Sequence, residues 1–220
     1  MEAARARRRS ATPETLPLFP LEGAVLLPGG QLPLNIFEPR YLRMIDDALG
    51  GARLIGMIQP KDGMQDEKPA LYDVGCAGRI TSFAETDDGR YVITLTGARR
   101  FKLDEEVASD TPYRLARPDW SYFERDAEKD PTAEAVDRDE LLSVLKNYLE
   151  AENLHVEWEQ ASNAPVEALI VSLAMGCPFA PNEKQAILET PSIVDQAKCL
   201  MTLMRFSDAD DSGGDDPLLQ

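Results

Sequence analysis

The chain is poor in the residues from which catalytic and metal sites are most often built. It has one histidine, His155, and three cysteines, Cys76, Cys177 and Cys199, with no CxxC pair among them. A Ser–His–acid triad would depend on that histidine, which lies in a polar run and is expected in an exposed loop, and no G-x-S-x-G motif accompanies it. No G-x-x-x-x-G-K-[ST] sequence is present to hold the phosphates of a nucleotide. We therefore predict that the chain is not an enzyme and has no catalytic residues, no cofactor and no metal.

Long hydrophobic runs are missing as well. Nowhere does the chain reach about 18 consecutive apolar residues, so we predict no membrane span. Prolines interrupt the first apolar stretch, at residues 16–28, and argue against a signal peptide there. The cysteines are odd in number and widely separated, which fits reduced thiols better than a disulfide framework or a zinc site. We expect a cytoplasmic protein.

Positive charge is scarce. The sequence has 23 lysines and arginines against 39 aspartates and glutamates, a net charge of −16. A nucleic-acid-binding protein usually presents a basic face to the phosphates, so we expect neither a nucleic-acid nor a membrane partner. The exception is a basic arm at residues 1–13, which contains four arginines. We interpret it as disordered, since two glutamates nearby and its short length argue against a mitochondrial targeting peptide.

Residues 16–49 carry the clearest structural pattern. Short apolar runs are separated by prolines, which predicts strands at a sheet edge or strands that end soon after they start, because proline has no N–H to donate. Gly29-Gly30 supplies a chain reversal between two of these runs. From Pro39 onward the apolar residues Leu42, Ile45 and Leu49 have the spacing of one helix face. This stretch is predicted to be a strand, a turn, a second strand and a helix.

Further strands are predicted up to residue 118. They include a buried strand ending at Pro60, a stretch at 71–84 whose glycines suggest a bulge, and a hairpin turn at 86–89. About six or seven short, mostly antiparallel strands of this kind usually close into a barrel-like sheet.

The pattern then changes to helices. An acidic run follows the last strand, and apolar residues at helical spacing recur from Leu141 to Met204. We predict an α+β protein with a β subdomain at 14–120, an acidic linker at 121–130, a helical-bundle subdomain at 131–206 and a disordered acidic tail at 207–220.

The string LPLFPLEGAVLLPGGQLPLNIFEPRYLRMI, at residues 16–45, resembles the opening of the amino-terminal, substrate-binding domain of ATP-dependent Lon proteases. Later segments are similar to that family's next strands and closing helices: RLIGMIQP at 53–60, LYDVGCAGRI at 71–80, ITLTGARRFKL at 93–103 and residues 172–204. The resemblance covers about residues 14–206. The sequences of the Lon ATPase and peptidase modules are not part of the match.

The resemblance implies a two-part fold whose β subdomain is a PUA-like pseudo-barrel, and a non-catalytic domain that recognises proteins or peptides. We expect it to bind exposed apolar segments of unfolded or partly folded client proteins. Two modes stay open, namely strand addition at an open sheet edge and a groove between the subdomains. The chain is expected to act as an adaptor, with a separate protease as one partner, or to have taken another ligand. The alternatives are a PUA-like RNA-binding module and, least favoured, a hydrolase. The oligomeric state is not legible in the sequence.

The candidate recognition residues lie in the motif NIFEPRY: Asn35, Phe37, Glu38, Arg40 and Tyr41. Two interpretations stay open. In the first, these residues line a recognition surface. In the second, which the residue types favour, Asn35 and Glu38 cap the helix that follows and Arg40 pairs with an acid elsewhere.

Overall fold

A computed structural model describes residues 13–61, 63, 68–127, 131–154 and 156–211. The predicted basic arm, His155 and residues 212–220 of the predicted acidic tail thus lie outside the described residues, except for Pro13. The chain divides into two compact units between residues 129 and 130. The first is built mainly of strands and the second of helices, which confirms the predicted α+β class.

The first unit contains six strands and one helix. In chain order they are β1 (Leu16–Pro20), β2 (Gln31–Ile36), α1 (Pro39–Gly50), β3 (Leu54–Ile58), β4 (Val74–Glu85), β5 (Tyr91–Val107) and β6 (Arg114–Asp119). The strand order is β2-β5-β4-β3-β1-β6, and β6 pairs in addition with β5. Five strands therefore form a closed ring, in which only β1 and β3 run parallel, and β2 lies outside the ring on β5.

The expectation of edge strands or strands that end soon after they start holds for both runs: β2 is an edge strand, and β1 ends at Pro20 after five residues. That strand lies inside the ring, paired with β3 on one side and β6 on the other. Its ladder with β3 runs from Leu18 to Pro20, so Pro17 precedes it and Pro20 ends it. The two missing N–H groups thus fall at the ends of this ladder, where they cost little pairing.

The core of the ring is apolar and closely packed. Leu16, Leu18 and Phe101 are fully buried in it, and Trp120 packs against the same cluster. The glycines at 75 and 78 mark close approaches, as predicted: a Cβ at Gly75 would lie 2.6 Å from a backbone oxygen, and the β4–β5 register shifts next to Gly78.

Residues 121–127, which the sequence places in an acidic linker, instead form a 3-10 segment against β5. Phe123 is buried, and Asp126 accepts hydrogen bonds from both the side chain and the backbone N–H of Arg100. A segment with five charged or polar side chains is held here by a buried aromatic ring and an ion pair, which its composition does not reveal.

The second unit contains a 3-10 segment (Pro131–Ala135) and five helices: α2 (Arg138–Ala151), α3 (Trp158–Asn163), α4 (Val166–Gly176), α5 (Pro181–Glu189) and α6 (Ile193–Asp211). The helical subdomain is predicted to begin at residue 131, but its first α-helix, α2, begins only after Asp137. The Asp137 side chain accepts the N–H of Glu140 and thereby caps the helix. The predicted apolar stripe of the last helix is confirmed: Ile193, Ala197, Leu200 and Met204 are buried. The backbone of α6 continues to Asp211, inside the range predicted as a tail.

Candidate functional site

A cleft of about 420 Å³ opens in the first unit where α1 begins. One wall is the first turn of α1, with Arg40 and Tyr41; the other is the β5–β6 connection, from Glu106 to Leu115. Leu18 and Pro20 of β1 and residues 68–69 complete the lining. Ligand sites in proteins typically have volumes of about 300–1,000 Å³, so the cleft is large enough for a few side chains of a bound molecule.

Arg114 organises the charged side of this cleft. Its guanidinium forms a two-pronged pair with the Glu106 carboxylate and donates to the backbone oxygen of Pro69 at 2.8 Å. Lys68 lies 3.5 Å from the same carboxylate. The hydrogen bond from Arg114 is the main reason that the pKa of Glu106 is lowered. Glu106 is therefore ionised at neutral pH and fixes the two cations beside the opening.

Tyr41 forms the apolar floor and carries a polar end. Its ring stacks on Phe19 with a centroid separation of 4.2 Å, and the Arg40 guanidinium lies 4.6 Å from its ring centroid. The side chain is only 5% exposed. Burial raises the pKa of its hydroxyl, while the charges of Arg40 and Arg114 act in the opposite direction. The hydroxyl therefore lies within the electrostatic reach of two cations that line the cleft.

Tyr113 is fixed at the edge of the cleft by a link to α1. Its hydroxyl donates to Asp47 at 2.8 Å, and Arg43 donates to the same carboxylate at 3.0 Å. Burial, followed by this hydrogen bond, raises the pKa of Tyr113 to about 12. The β5–β6 connection is thus tied to the helix that forms the opposite wall.

The structure brings together only part of the predicted recognition set. Arg40 and Tyr41 line the cleft, and Glu38 contacts it indirectly because it accepts from Arg40 Nε at 2.9 Å. Asn35 is exposed on β2, and Phe37 is 64% exposed. The capping interpretation is wrong for Glu38: it occupies the N-cap position of α1, but its side chain makes no capping hydrogen bond. A recognition role for the five residues stays a prediction.

Sequence reasoning missed Lys68, Glu106, Tyr113 and Arg114. They come from two connections far from the NIFEPRY motif, and the closed ring alone places them next to α1. The feature of the sequence that could have indicated them is the polar loop ASDTP, because each of the two strands that flank it carries a charged residue next to the loop.

A second feature is the outer side of β2. Gly97 donates its N–H to the oxygen of Gly30 at 2.8 Å. The return bond to the oxygen of Gly97 comes from Gly29 at 2.9 Å, so Gly29-Gly30 form a bulge at the start of the ladder. Because the bonding direction alternates along an antiparallel strand from there, Gln31, Pro33 and Asn35 turn their backbone polar groups away from β5. Among the described strands only β5 pairs with β2. This edge is therefore open, with no N–H at Pro33.

The sheet next to this edge exposes apolar side chains. Leu34, Ile93 and Phe83 lie in one row across β2, β5 and β4. Ile93 is buried and Leu34 half-buried, whereas Phe83 is 41% exposed and packs edge-on against Tyr91. We call Leu34, Phe37 and Phe83 the apolar set of the β2 end.

Comparison with known proteins assigns most of the chain to one family. The model of the ATP-dependent protease La (LON) substrate-binding domain matches residues 15–205. The chain belongs to this family. The crystal structure of a Lon N-terminal domain protein from Xanthomonas campestris is similar, with a TM-score of 0.58 and 27% identity, over 86% of this chain and 97% of that one. The N-terminal domain of the Mycobacterium avium complex Lon protease has a TM-score of 0.62 at 15% identity, covering 87% of this chain and 98% of that one, and shows the Lon N-terminal fold alone.

The curated relatives are much longer proteins. Lon protease 2 of Myxococcus xanthus is 27% identical over 200 residues, which is 87% of this chain and 24% of that protein. The Lon protease of Parabacteroides distasonis is 37% identical over 103 residues, 46% of this chain and 12% of that protein. The chain thus spans about a quarter or less of the length of these relatives, and the match falls on the Lon substrate-binding domain.

The described residues lack two further features. No group of histidine, cysteine and carboxylate side chains among them is arranged to hold a metal ion. None of the helices in the part of the chain that the structure describes is both long and apolar enough to cross a membrane.

Proposed function

We propose that the chain is a recognition domain that binds exposed apolar segments of unfolded or partly folded proteins, and that it does so through the apolar set of the β2 end. The observation that carries this proposal is the exposure of Phe37 and Phe83 beside an open sheet edge. Apolar side chains exposed together on a folded surface are typical of interaction sites. Membership in a substrate-binding domain family supports the same role.

The open edge of β2 adds backbone hydrogen-bonding groups to this surface. An extended client segment next to Gln31 and Asn35 would find donors and acceptors there, while Pro33 offers an acceptor only. Strand addition is therefore limited to short stretches, and most of the affinity would come from side chains packed on Phe37 and Phe83. This arrangement suits many sequences, because the contacts require apolar character but no particular side chain.

The proposal extends to partners and location. An adaptor of this kind would deliver its client to a separate protease, consistent with the Lon relatives. The reduced state of Cys76, Cys177 and Cys199, of which the first two are buried, supports a cytoplasmic location.

Binding to a permanently unfolded protein tests the proposal. Fluorescence anisotropy would be measured with a fluorescein-labelled, reduced and carboxymethylated globular protein, with its native form as a competitor. We expect the unfolded probe to bind and the native form not to compete. Phe37→Ser and Phe83→Ser should each weaken binding about tenfold or more, since burial of such a ring contributes about 1.5–3 kcal/mol.

Tyr122→Ser is the matched control, because Tyr122 is 65% exposed in the same unit but outside the apolar set. Its affinity should stay within about twofold of wild type. Equal losses in all three variants, or no binding of the unfolded probe, would overturn the proposal. Shortening of the probe during incubation would indicate the hydrolase alternative, and preferential binding of labelled RNA would indicate the RNA-binding alternative.

A further inference from the structure

The cleft beside α1 differs in charge from the rest of the molecule. Its lining residues include three cations, Arg40, Lys68 and Arg114, and one acid, Glu106. Glu38, through its pair with Arg40, adds a second acid and leaves one net positive charge. The chain as a whole has a net charge of −16. A locally positive cleft in so acidic a protein attracts a negatively charged group more strongly than the surrounding surface does.

The Tyr41 hydroxyl provides an unused hydrogen-bond donor at this place. Tyr41 lines the cleft, and its side chain is more than nine-tenths buried. Within the part of the chain that the structure describes, no group exchanges a hydrogen bond with this hydroxyl. The hydroxyl oxygen is not among the fully enclosed atoms without a partner, so it is open to solvent and available to a ligand in the cleft. The Arg40 guanidinium lies 4.6 Å from the centroid of the Tyr41 ring, and Arg114 lines the same cleft.

The donors that remain on the cations fit a carboxylate. Arg114 uses three N–H groups on Glu106 and Pro69, and a guanidinium has five. Arg40 directs Nε and Nη2 at Glu38 and retains others. Guanidinium and phenol donors together satisfy the two oxygens of a carboxylate with short, charge-assisted hydrogen bonds.

The remaining lining favours a peptide side chain over an inorganic ion. Pro112, which is exposed, and Leu115, which is half-buried, form apolar walls that an inorganic ion would not use. A carboxylate with an apolar neighbour a few ångströms away uses both parts of the lining.

We propose that this cleft binds the side chain of an aspartate or glutamate in a bound peptide, with the next apolar residue of that peptide seated on the leucine and proline walls. The inference rests on the proposed function, because it assumes that the ligand is a protein segment. It adds a preference: among the apolar segments available, those that carry an acid beside an aliphatic residue bind best. An acidic protein would otherwise be expected to disfavour such segments.

Calorimetric titration with two blocked peptides tests the proposal. The first is acetyl-Gly-Asp-Leu-Leu-Gly-amide, and the second has Asn in place of Asp; blocked ends leave the side-chain carboxylate as the one difference in charge. We expect the Asp peptide to bind at least tenfold more tightly, with an affinity that falls as salt is raised. Tyr41→Phe keeps the ring on Phe19 and should weaken the Asp peptide about fivefold while leaving the Asn peptide unchanged. Arg40→Gln should act in the same way.

Arg117→Gln is the matched control, since Arg117 is an exposed arginine on β6 whose pair with Glu105 lies outside the cleft. Its affinity for the Asp peptide should equal that of wild type. Equal binding of the two peptides, or an equal loss in Arg117→Gln and Arg40→Gln, would overturn the proposal. So would displacement of the Asp peptide by millimolar inorganic phosphate, which would identify an anion site of another kind.

The two proposals fail separately. If the unfolded protein probe binds through Phe37 and Phe83 but the peptides do not discriminate, the carboxylate site alone is wrong. If the Asp peptide binds in the cleft and the unfolded probe is unaffected by Phe37→Ser and Phe83→Ser, the apolar set is wrong and the cleft stands.

Discussion

Arg100 and Asp126 form a buried ion pair that holds the 3-10 segment at 121–127 against β5. Arg100 Nη2 donates to one carboxylate oxygen at 2.7 Å, and both Nε and the backbone N–H of Arg100 donate to the other at 2.9 Å. The guanidinium also lies 4.2 Å from the centroid of the Phe123 ring. Both charged side chains are almost fully buried. Each charge neutralises the other, so removal of either side chain alone would leave a buried charge that is no longer neutralised by the pair.

Asp126→Ala should destabilise the first unit by about 3–5 kcal/mol, because it removes the carboxylate that pairs with the buried Arg100 guanidinium. Urea unfolding followed by tryptophan fluorescence would measure the change, since Trp120 packs in the same core. Glu105→Ala removes the acid of an exposed pair with Arg117 and should cost less than about 1 kcal/mol. Similar losses in the two variants would mean that the buried pair contributes no more than a surface pair.

Gly97→Ala should be among the most disruptive single-methyl changes in the first unit. A Cβ at Gly97 would lie 1.9 Å from the backbone oxygen of Leu27, and neither strand nor turn can move without breaking the Gly97–Gly30 hydrogen bond. We expect a loss of about 3 kcal/mol or more in the free energy of unfolding. Gly176→Ala, which meets nothing within 4 Å at the end of α4, should change stability by no more than about 1 kcal/mol. A thermal shift assay on both variants would distinguish the steric clash at Gly97 from the general effect of replacing a glycine by alanine.

Acid should weaken the link between the β5–β6 connection and its neighbours through Glu106. Arg114 lowers the pKa of Glu106 in the folded state, so the stability this carboxylate contributes is fully present above its unfolded pKa, about 4.3. It is lost as the pH falls below that value and through the folded pKa. Glu106→Gln should therefore be less stable than wild type at pH 7, and the gap should narrow at pH 3. A gap that stays constant across this range would contradict the assignment.

Pro33→Thr should make the free edge of β2 pair with other chains. The substitution restores an outward N–H in the middle of an open strand, and such edges template association. Sedimentation velocity at increasing protein concentration should show dimers or larger species for this variant. Pro33→Lys restores the same N–H but adds a charge that opposes edge pairing, so it should sediment like wild type. Association of neither variant would show that proline does not protect this edge, and association of both would show that the lysine charge does not oppose pairing.

The sequence was sufficient for local structure and for a barrel-like sheet, but insufficient for the order of the strands in that sheet. The period of Leu42, Ile45 and Leu49 predicts α1, and the TDDG turn predicts the β4–β5 hairpin, because both depend on neighbours in the chain. The interior position of β1 could not be predicted in the same way, since it depends on pairing with β3 and β6, which are distant in sequence. Its prolines indicated either an edge strand or a short strand and did not decide between the two.

The same limit applies to the cleft and to the 3-10 segment. Arg40 and Tyr41 stand in a recognisable motif, but Arg114 and Glu106 become their neighbours only when the ring closes. Asp126 sits in an acidic run that resembles a solvated linker, and only its partner Arg100, on β5, identifies it as a buried group. Charge patterns show what a segment contains, whereas tertiary pairing decides which of its charges are buried.

The closure of the ring has a consequence for the order of events during synthesis. Leu16 of β1 pairs with Ala116 of β6, so one of the first strands to leave the ribosome waits for one of the last of its unit. Until then β3 is the one ring strand with which β1 can pair. The other edge of β1, whose leucines are buried in the finished ring, stays exposed to solvent and to other proteins. Pairing over such a sequence distance is slow and leaves apolar strands open to wrong partners. A domain that we propose to recognise unfinished proteins is itself, while it is being made, a protein of that kind.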